Sequence, residues 1–118
     1  MLKSVEWVGS SKADLKRFPD PVQNRMGFAI YHAQLGRQHR DTKRLKGFGS
    51  GVVEVVARHD GDTFRAVYTV RFETAVYVLH AFQKKAKRSI ATPKRELDLV
   101  RRRLQAAERH YRDTHRGD

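Results

Sequence analysis

The sequence predicts an α+β domain in which an antiparallel sheet is backed by an N-terminal helical hairpin and a C-terminal helix. Three observations carry this reading. From Phe64 to Phe82 two strand-like runs meet at a tight connection, Glu73-Thr74. Ahead of them Val22, Met26, Ala29, Ile30 and Ala33 recur at helical spacing, and behind them Leu97, Val100, Leu104, Ala107 and Tyr111 do the same. A sheet in the middle of the chain with helices at either end follows.

Taken in order, Leu2 to Val8 alternates and reads as a short edge strand ended by Gly9. Ser11 followed by Asp14 fits a helix cap with an acid three residues on, so residues 12–18 predict a short helix with Leu15 and Phe18 inward. Pro19-Asp20-Pro21 breaks the chain and restarts it, Asp20 serving as cap and Pro21 as first helical residue. The helix that follows runs to Gly36, whose freedom to adopt positive φ suits a C-terminal stop. Residues 37–51 read as a basic loop closing on Gly47, Gly49 and Gly51, without the Gly-Lys-Ser/Thr ending that a phosphate-binding loop requires. Val52 to Arg58 predicts a strand, and Asp60-Gly61 a hairpin turn. Phe64, Ala66, Tyr68, Val70 and Phe72 share one parity, with Arg65, Val67, Thr69 and Arg71 on the other. Ala75 to Phe82 is almost wholly apolar, as a strand covered on both faces would be. These runs make a three-strand meander. Thr92-Pro93 opens the last helix, about six turns long.

The 118 residues suit a single domain over positions 1–118, with a frayed tail from about residue 114. No apolar run approaches the roughly 20 residues of a membrane helix. The N-terminus lacks the apolar centre of a signal peptide. Cysteine is absent, so thiolate metal sites and disulfides are excluded, and a cytoplasmic protein is expected. A net charge of +12 and a pI near 10.6 point to nucleic acid before an anionic membrane. That charge is unevenly spread. Residues 37–47 carry five basic side chains against one acidic, residues 82–118 twelve against five, and residues 48–81 three against four. A nearly neutral sheet with a basic rim is the pattern expected of a scaffold that presents cations to a phosphate backbone.

Lys84, Lys85, Lys87 and Arg88 fall within five positions, a density that an anion would offset. Arg65 is either a solvated strand residue or part of the same site. His80 stands on an apolar strand, where it either donates to a carbonyl or, with a reference pKa of about 6.5, transfers protons. Lys43, Arg44 and Lys46 suit contact with RNA or with an acidic protein segment, and Arg101 to Arg103 suit RNA contact or a wet helix face. Tyr68, Tyr77 and Phe82 could stack on bases or pack in the core. The six histidines have no metal-like spacing among themselves or with the acids, so neither a metal nor a cofactor is expected.

This order of elements resembles the phage-derived HigB-like branch of the RelE/ParE superfamily, the toxin half of type II toxin–antitoxin pairs. The resemblance runs from about Val5 to Ala107. It is most specific at Leu45-Lys46-Gly47, at Phe64-Arg65-Ala66-Val67-Tyr68, and from Val76 through Phe82-Gln83-Lys84-Lys85 to Thr92-Pro93. It implies a compact RelE-like fold and a metal-independent mRNA endoribonuclease, commonly acting on ribosome-bound message and held in check by a cognate antitoxin, usually a helix-turn-helix protein. In such enzymes a basic side chain accepts the 2′-proton, others neutralise the phosphorane, and an acid protonates the leaving 5′-oxygen. On this basis Arg65, Lys84, Lys85, Arg88 and His80 are the expected catalytic set, with Lys43, Arg44, Lys46, Lys87 and Lys94 as RNA contacts. The chain departs from RelE in having no tyrosine after the basic segment until Tyr111, so that enzyme's stacking tyrosine has no counterpart. Two rival readings are a non-catalytic ParE-like poison of DNA gyrase and an inactive RNA-binding phage protein.

Overall fold

The computed structural model describes residues 2–84 and 92–114. Eight elements follow in order: β1 (Ser4–Trp7), α1 (Ser11–Lys16), α2 (Asp20–Gln34), β2 (Thr42–Arg44), β3 (Val52–His59), β4 (Asp62–Thr69), β5 (Ala75–Lys84) and α3 (Lys94–Thr114). The five strands form one sheet in the order β1-β5-β4-β3-β2. β1 runs parallel to β5, and every other pairing is antiparallel. The fold is therefore α+β with a mostly antiparallel sheet, as the sequence predicts.

Each face of the sheet is covered by helix. Val22, Met26, Ala29, Ile30 and Ala33 of α2, with Leu15 and Phe18, pack on Val55, Ala57, Phe64, Ala66, Tyr68, Val76 and Val78. On the opposite face Val100, Leu104 and Ala107 of α3 pack on Val52, Val67, Tyr77 and Leu79, with Leu97 and Tyr111 at the margins. Both helical stripes are those read from periodicity, because a helix can bury only one side against a flat sheet. α2 stops where Gly36 takes φ +77°. The Gly36 N–H then donates to Ala33 O at 3.0 Å and the Arg37 N–H to His32 O at 2.8 Å, which satisfies carbonyls the helix end would leave bare.

Several boundaries differ from the expectation. The residue that caps α1 is Ser10, whose carbonyl accepts from the Asp14 N–H and whose hydroxyl donates to the Asp14 carboxylate at 2.7 Å. Ser11 is instead fully buried and donates to Val78 O. α2 begins at Asp20 with Pro19 in the cap position, because Pro19 O already accepts from the Val22 and Gln23 N–H groups. The basic stretch read as a loop contains the short strand β2, so the meander has four strands. β4 ends at Thr69, before Val70 and Phe72. There the Val70 N–H turns to Gly51 O, and Phe72 packs on the α3 side, away from Phe64, Ala66 and Tyr68.

β5 also breaks its own parity. Tyr68 faces Val78 whereas Val67 faces His80, so Leu79 is an extra residue on β5. Such a bulge shifts all later side chains to the other face. Upstream, Tyr77 and Leu79 point toward α3; downstream, His80, Phe82 and Lys84 do.

Candidate functional site

The bulge, combined with strand pairing, gathers six ionisable residues of the sheet on its α3 face in three cross-strand rows. The first runs Lys43, Glu54, Val67, His80, the second Val56, Arg65, Phe82, and the third Arg58, Thr63, Lys84. Rows two residues apart along a strand are separated by roughly 6.8 Å, and neighbouring strands by about 4.8 Å. α3 starts at Lys94, beside the first row, so these residues lie at the N-terminal end of that helix.

Glu54 is the centre of the arrangement. It is a lone acid among four valines of β3 and is fully buried. One carboxylate oxygen accepts from Arg65 Nη1 at 2.7 Å and lies 3.9 Å from Lys43 Nζ; the other accepts from the Thr92 hydroxyl at 2.8 Å. Arg65 is itself only 5% exposed, so its guanidinium is held in place by this pair, a charge-assisted bond between two nearly dry partners. Lys84, the last residue of β5, is buried as well. Burial pushes its ammonium below the ordinary lysine pKa, Arg65 and Lys43 push the same way, and Glu54 opposes them. Two cations thus pair with one buried carboxylate, and a third, Lys84, stands on the same face within reach of its field.

His80 forms a second constellation. Its Nε2 lies 2.5 Å from Glu96 in the first turn of α3, and its Nδ1 is 3.4 Å from Arg103 Nη1, which also donates to Leu79 O. Arginine can only donate, so Nδ1 accepts and the Nε2–H donates to Glu96. Both ring nitrogens are taken up by protein groups, and the ring stacks on Phe82 at 4.8 Å. His80 and Glu96 line a cleft of about 540 Å³ between α1 and the free edge of β5, with Arg17, Phe64 and Gln83.

Of the expected site residues, the structure brings Lys43, Arg65, Lys84 and His80 to one face. Arg44 pairs with Val53 and so lies on the other face of β2. Lys46 and Lys94 are exposed, in the loop after β2 and at the start of α3. Lys85, Lys87 and Arg88 lie outside the described residues. Glu54, Glu96, Arg103 and Thr92 were absent from the expected set. For Glu54 a signal existed, since an acid inside Val52-Val53-Glu54-Val55-Val56 has no place in a buried strand without a cation opposite. Among the described residues no three His, Cys, Asp or Glu side chains converge as a metal ion would need, and no helix is long and apolar enough to cross a membrane.

Comparison with known proteins agrees with this architecture. A double-arginine mutant of the E. coli toxin RelE, solved in the free state, superposes with a TM-score of 0.53 at 14% identity, covering 69% of this chain and 82% of RelE. The toxin–antitoxin complex RelBE2 from Mycobacterium tuberculosis contains a chain similar at 21% identity and a TM-score of 0.43, covering 73% of this chain and 95% of that one. No curated protein matches the sequence at a significant level. Residues 13–105, most of the chain, match the family described as phage derived protein Gp49-like (DUF891). With a match that spans well over half of its length, the chain belongs to the Gp49-like family of phage-derived proteins.

Proposed function

We propose that the protein is the toxin of a type II toxin–antitoxin pair, in the HigB-like branch of its superfamily, and that it cuts messenger RNA without a metal. The observation that carries this reading is the set of three cations on one face of a RelE-like sheet, Arg65 and Lys43 paired with the buried Glu54 and Lys84 beside them. A lysine whose pKa is lowered by burial and by neighbouring cations holds more neutral amine near neutral pH than a free lysine does, as a general base requires. Lys84 takes the 2′-proton while the 2′-oxygen attacks the adjacent phosphorus. Arg65, fixed by Glu54, and Lys43 meet the charge that develops on the phosphorane. The P–O5′ bond breaks to leave a 2′,3′-cyclic phosphate, and the leaving 5′-oxygen takes its proton from the basic segment after β5, which holds Lys85 and Arg88. His80 serves by position, tying Glu96 and α3 to β5. Arg44, Lys46, Lys87 and Lys94 contribute longer-range attraction to RNA. The work is done in the cytoplasm on messenger RNA, and a helix-turn-helix antitoxin silences it.

The test is cleavage of a defined transcript in excess EDTA by the wild type and by Lys84→Met. The proposal expects 2′,3′-cyclic ends from the wild type and at least a hundredfold slower cleavage by the variant. Cleavage that EDTA abolishes, or that Lys84→Met leaves intact, overturns it. Cells that arrest with whole message and trapped DNA breaks would point to a gyrase poison instead.

A further inference from the structure

At the outer edge of the sheet a second cleft of about 310 Å³ adjoins the site described above, sharing Lys43 and Arg65 with it and extending it over β2 and β3. It is lined by Arg40, Asp41, Lys43, Val56, Arg58 and Arg65, with Thr42 beneath. Four cations therefore face one carboxylate. The Asp41 N–H donates to His39 Nδ1, which as an acceptor cannot also bind the Asp41 carboxylate 3.8 Å away, so this one carboxylate offsets only part of the charge of the four cations. Arg40 and Arg58 are exposed, and among the described residues neither side chain has an ion-pair or hydrogen-bond partner. Guanidinium groups are planar donors matched to phosphate, and a pair of them beside a concave wall differs from cations scattered over a surface.

The position of the cleft matters as much as its charge. Arg65 and Lys43 belong to both places: they form the floor of this cleft and flank Glu54 at the reacting centre. Arg58 lies in the same cross-strand row as Lys84, with Thr63 between them, about two strand spacings or 9.6 Å away. A strand of RNA whose reacting phosphate sits at Lys84 and Arg65 would carry a neighbouring phosphate across β4 toward Arg58.

We propose that the Arg40–Arg58 cleft is a phosphate subsite for a nucleotide next to the one that is cut. Arg58 and Arg40 grip the phosphate oxygens, and Lys43 and Arg65 connect this subsite to the reacting centre. The ligand is the sugar–phosphate backbone of single-stranded RNA, held without regard to base. This inference rests on the RNA-cleaving reading given above.

The experiment is fluorescence anisotropy of a short single-stranded RNA over a series of salt concentrations, performed on Lys84→Met protein so that binding is read apart from cleavage. Adding Arg40→Ala and Arg58→Ala should reduce the slope of log affinity against log salt by about 0.7 for each phosphate that is no longer neutralised. In otherwise wild-type protein the same pair should raise KM about tenfold and leave kcat unchanged. Arg25→Ala, on α2 across the sheet, is the charge control and should leave the slope alone. An unchanged slope in the double variant, an equal fall in the control, or no RNA binding by the parent overturns the subsite. Binding that depends on Arg40 and Arg58 in a protein that cuts no RNA keeps the subsite and removes the ribonuclease.

Discussion

Replacing Glu54 by alanine would test the centre of the arrangement. The carboxylate is fully buried, and its principal partner Arg65 is 5% exposed, so neither charge can recover much hydration when the other is removed. Deleting one member of a buried pair costs about 3–5 kcal/mol, because a desolvated charge loses its counter-ion. The Thr92 hydroxyl loses its acceptor in the same variant, adding about 1 kcal/mol. Against a total stability of about 5–15 kcal/mol, Glu54→Ala should remove a large part of the margin. Pairing it with Arg65→Met removes the stranded guanidinium, so the double variant should be more stable than the sum of the single losses by at least about 2 kcal/mol. Urea unfolding with linear extrapolation measures all three variants. A loss below about 1 kcal/mol for Glu54→Ala, or strict additivity with Arg65→Met, would refute the buried pair as the anchor of this face.

Three other predictions concern different parts of the fold. Burial pushes the Tyr68 pKa from its ordinary 10.0 up to about 12, a hydrogen bond with Thr42 working the other way. A raised folded pKa means stability present below pH 10.0 and lost as pH rises through about 12, a loss of about 2–3 kcal/mol that Tyr68→Phe should abolish in alkaline unfolding curves. Gly51 has φ +79°, and a methyl there would sit 3.0 Å from Arg71 Cα, so Gly51→Ala should lower stability by about 1–3 kcal/mol, read as a drop in urea midpoint at constant m. Glu96→Ala removes the partner of the His80 Nε2–H and should loosen the first turns of α3, giving faster amide exchange from about Leu97 to Val100 while the centre of α2 keeps its protection.

Much of the fold is legible because burial imposes period. The stripes of α2 and α3, the alternation of β4, the Asp60-Gly61 turn with φ 50° and 82°, and the stop at Gly36 all follow from short-range rules that the chain obeys. What escapes those rules depends on a partner distant in sequence. Thr42-Lys43-Arg44 has no apolar residue to mark it as a strand, since it joins the sheet through main-chain pairing with β3. The extra residue at Leu79 cannot be seen in an apolar run where both parities are buried alike. Lys84 reads as the start of a basic loop and is instead the buried end of a strand. The same is true of the site: alternation assigns Arg65 to a face, but only tertiary pairing sets it against Glu54, eleven residues away on the neighbouring strand.

The parallel pairing of β1 with β5 bears on how the chain avoids joining itself to others. β5 is the most apolar strand in the sheet, and without β1 it would be an edge, with a row of bare N–H and C=O groups beside buried-type side chains. Four residues of β1 close that row from Ala75 to Val78. They lie about seventy positions upstream, so during folding the meander can assemble from local contacts while its most adhesive border waits for a distant segment. Until β1 docks, the same border is open to a second copy of β5. This short N-terminal strand, whose Val5 and Trp7 pack against the core, thus shields the first half of β5 from edge-to-edge pairing.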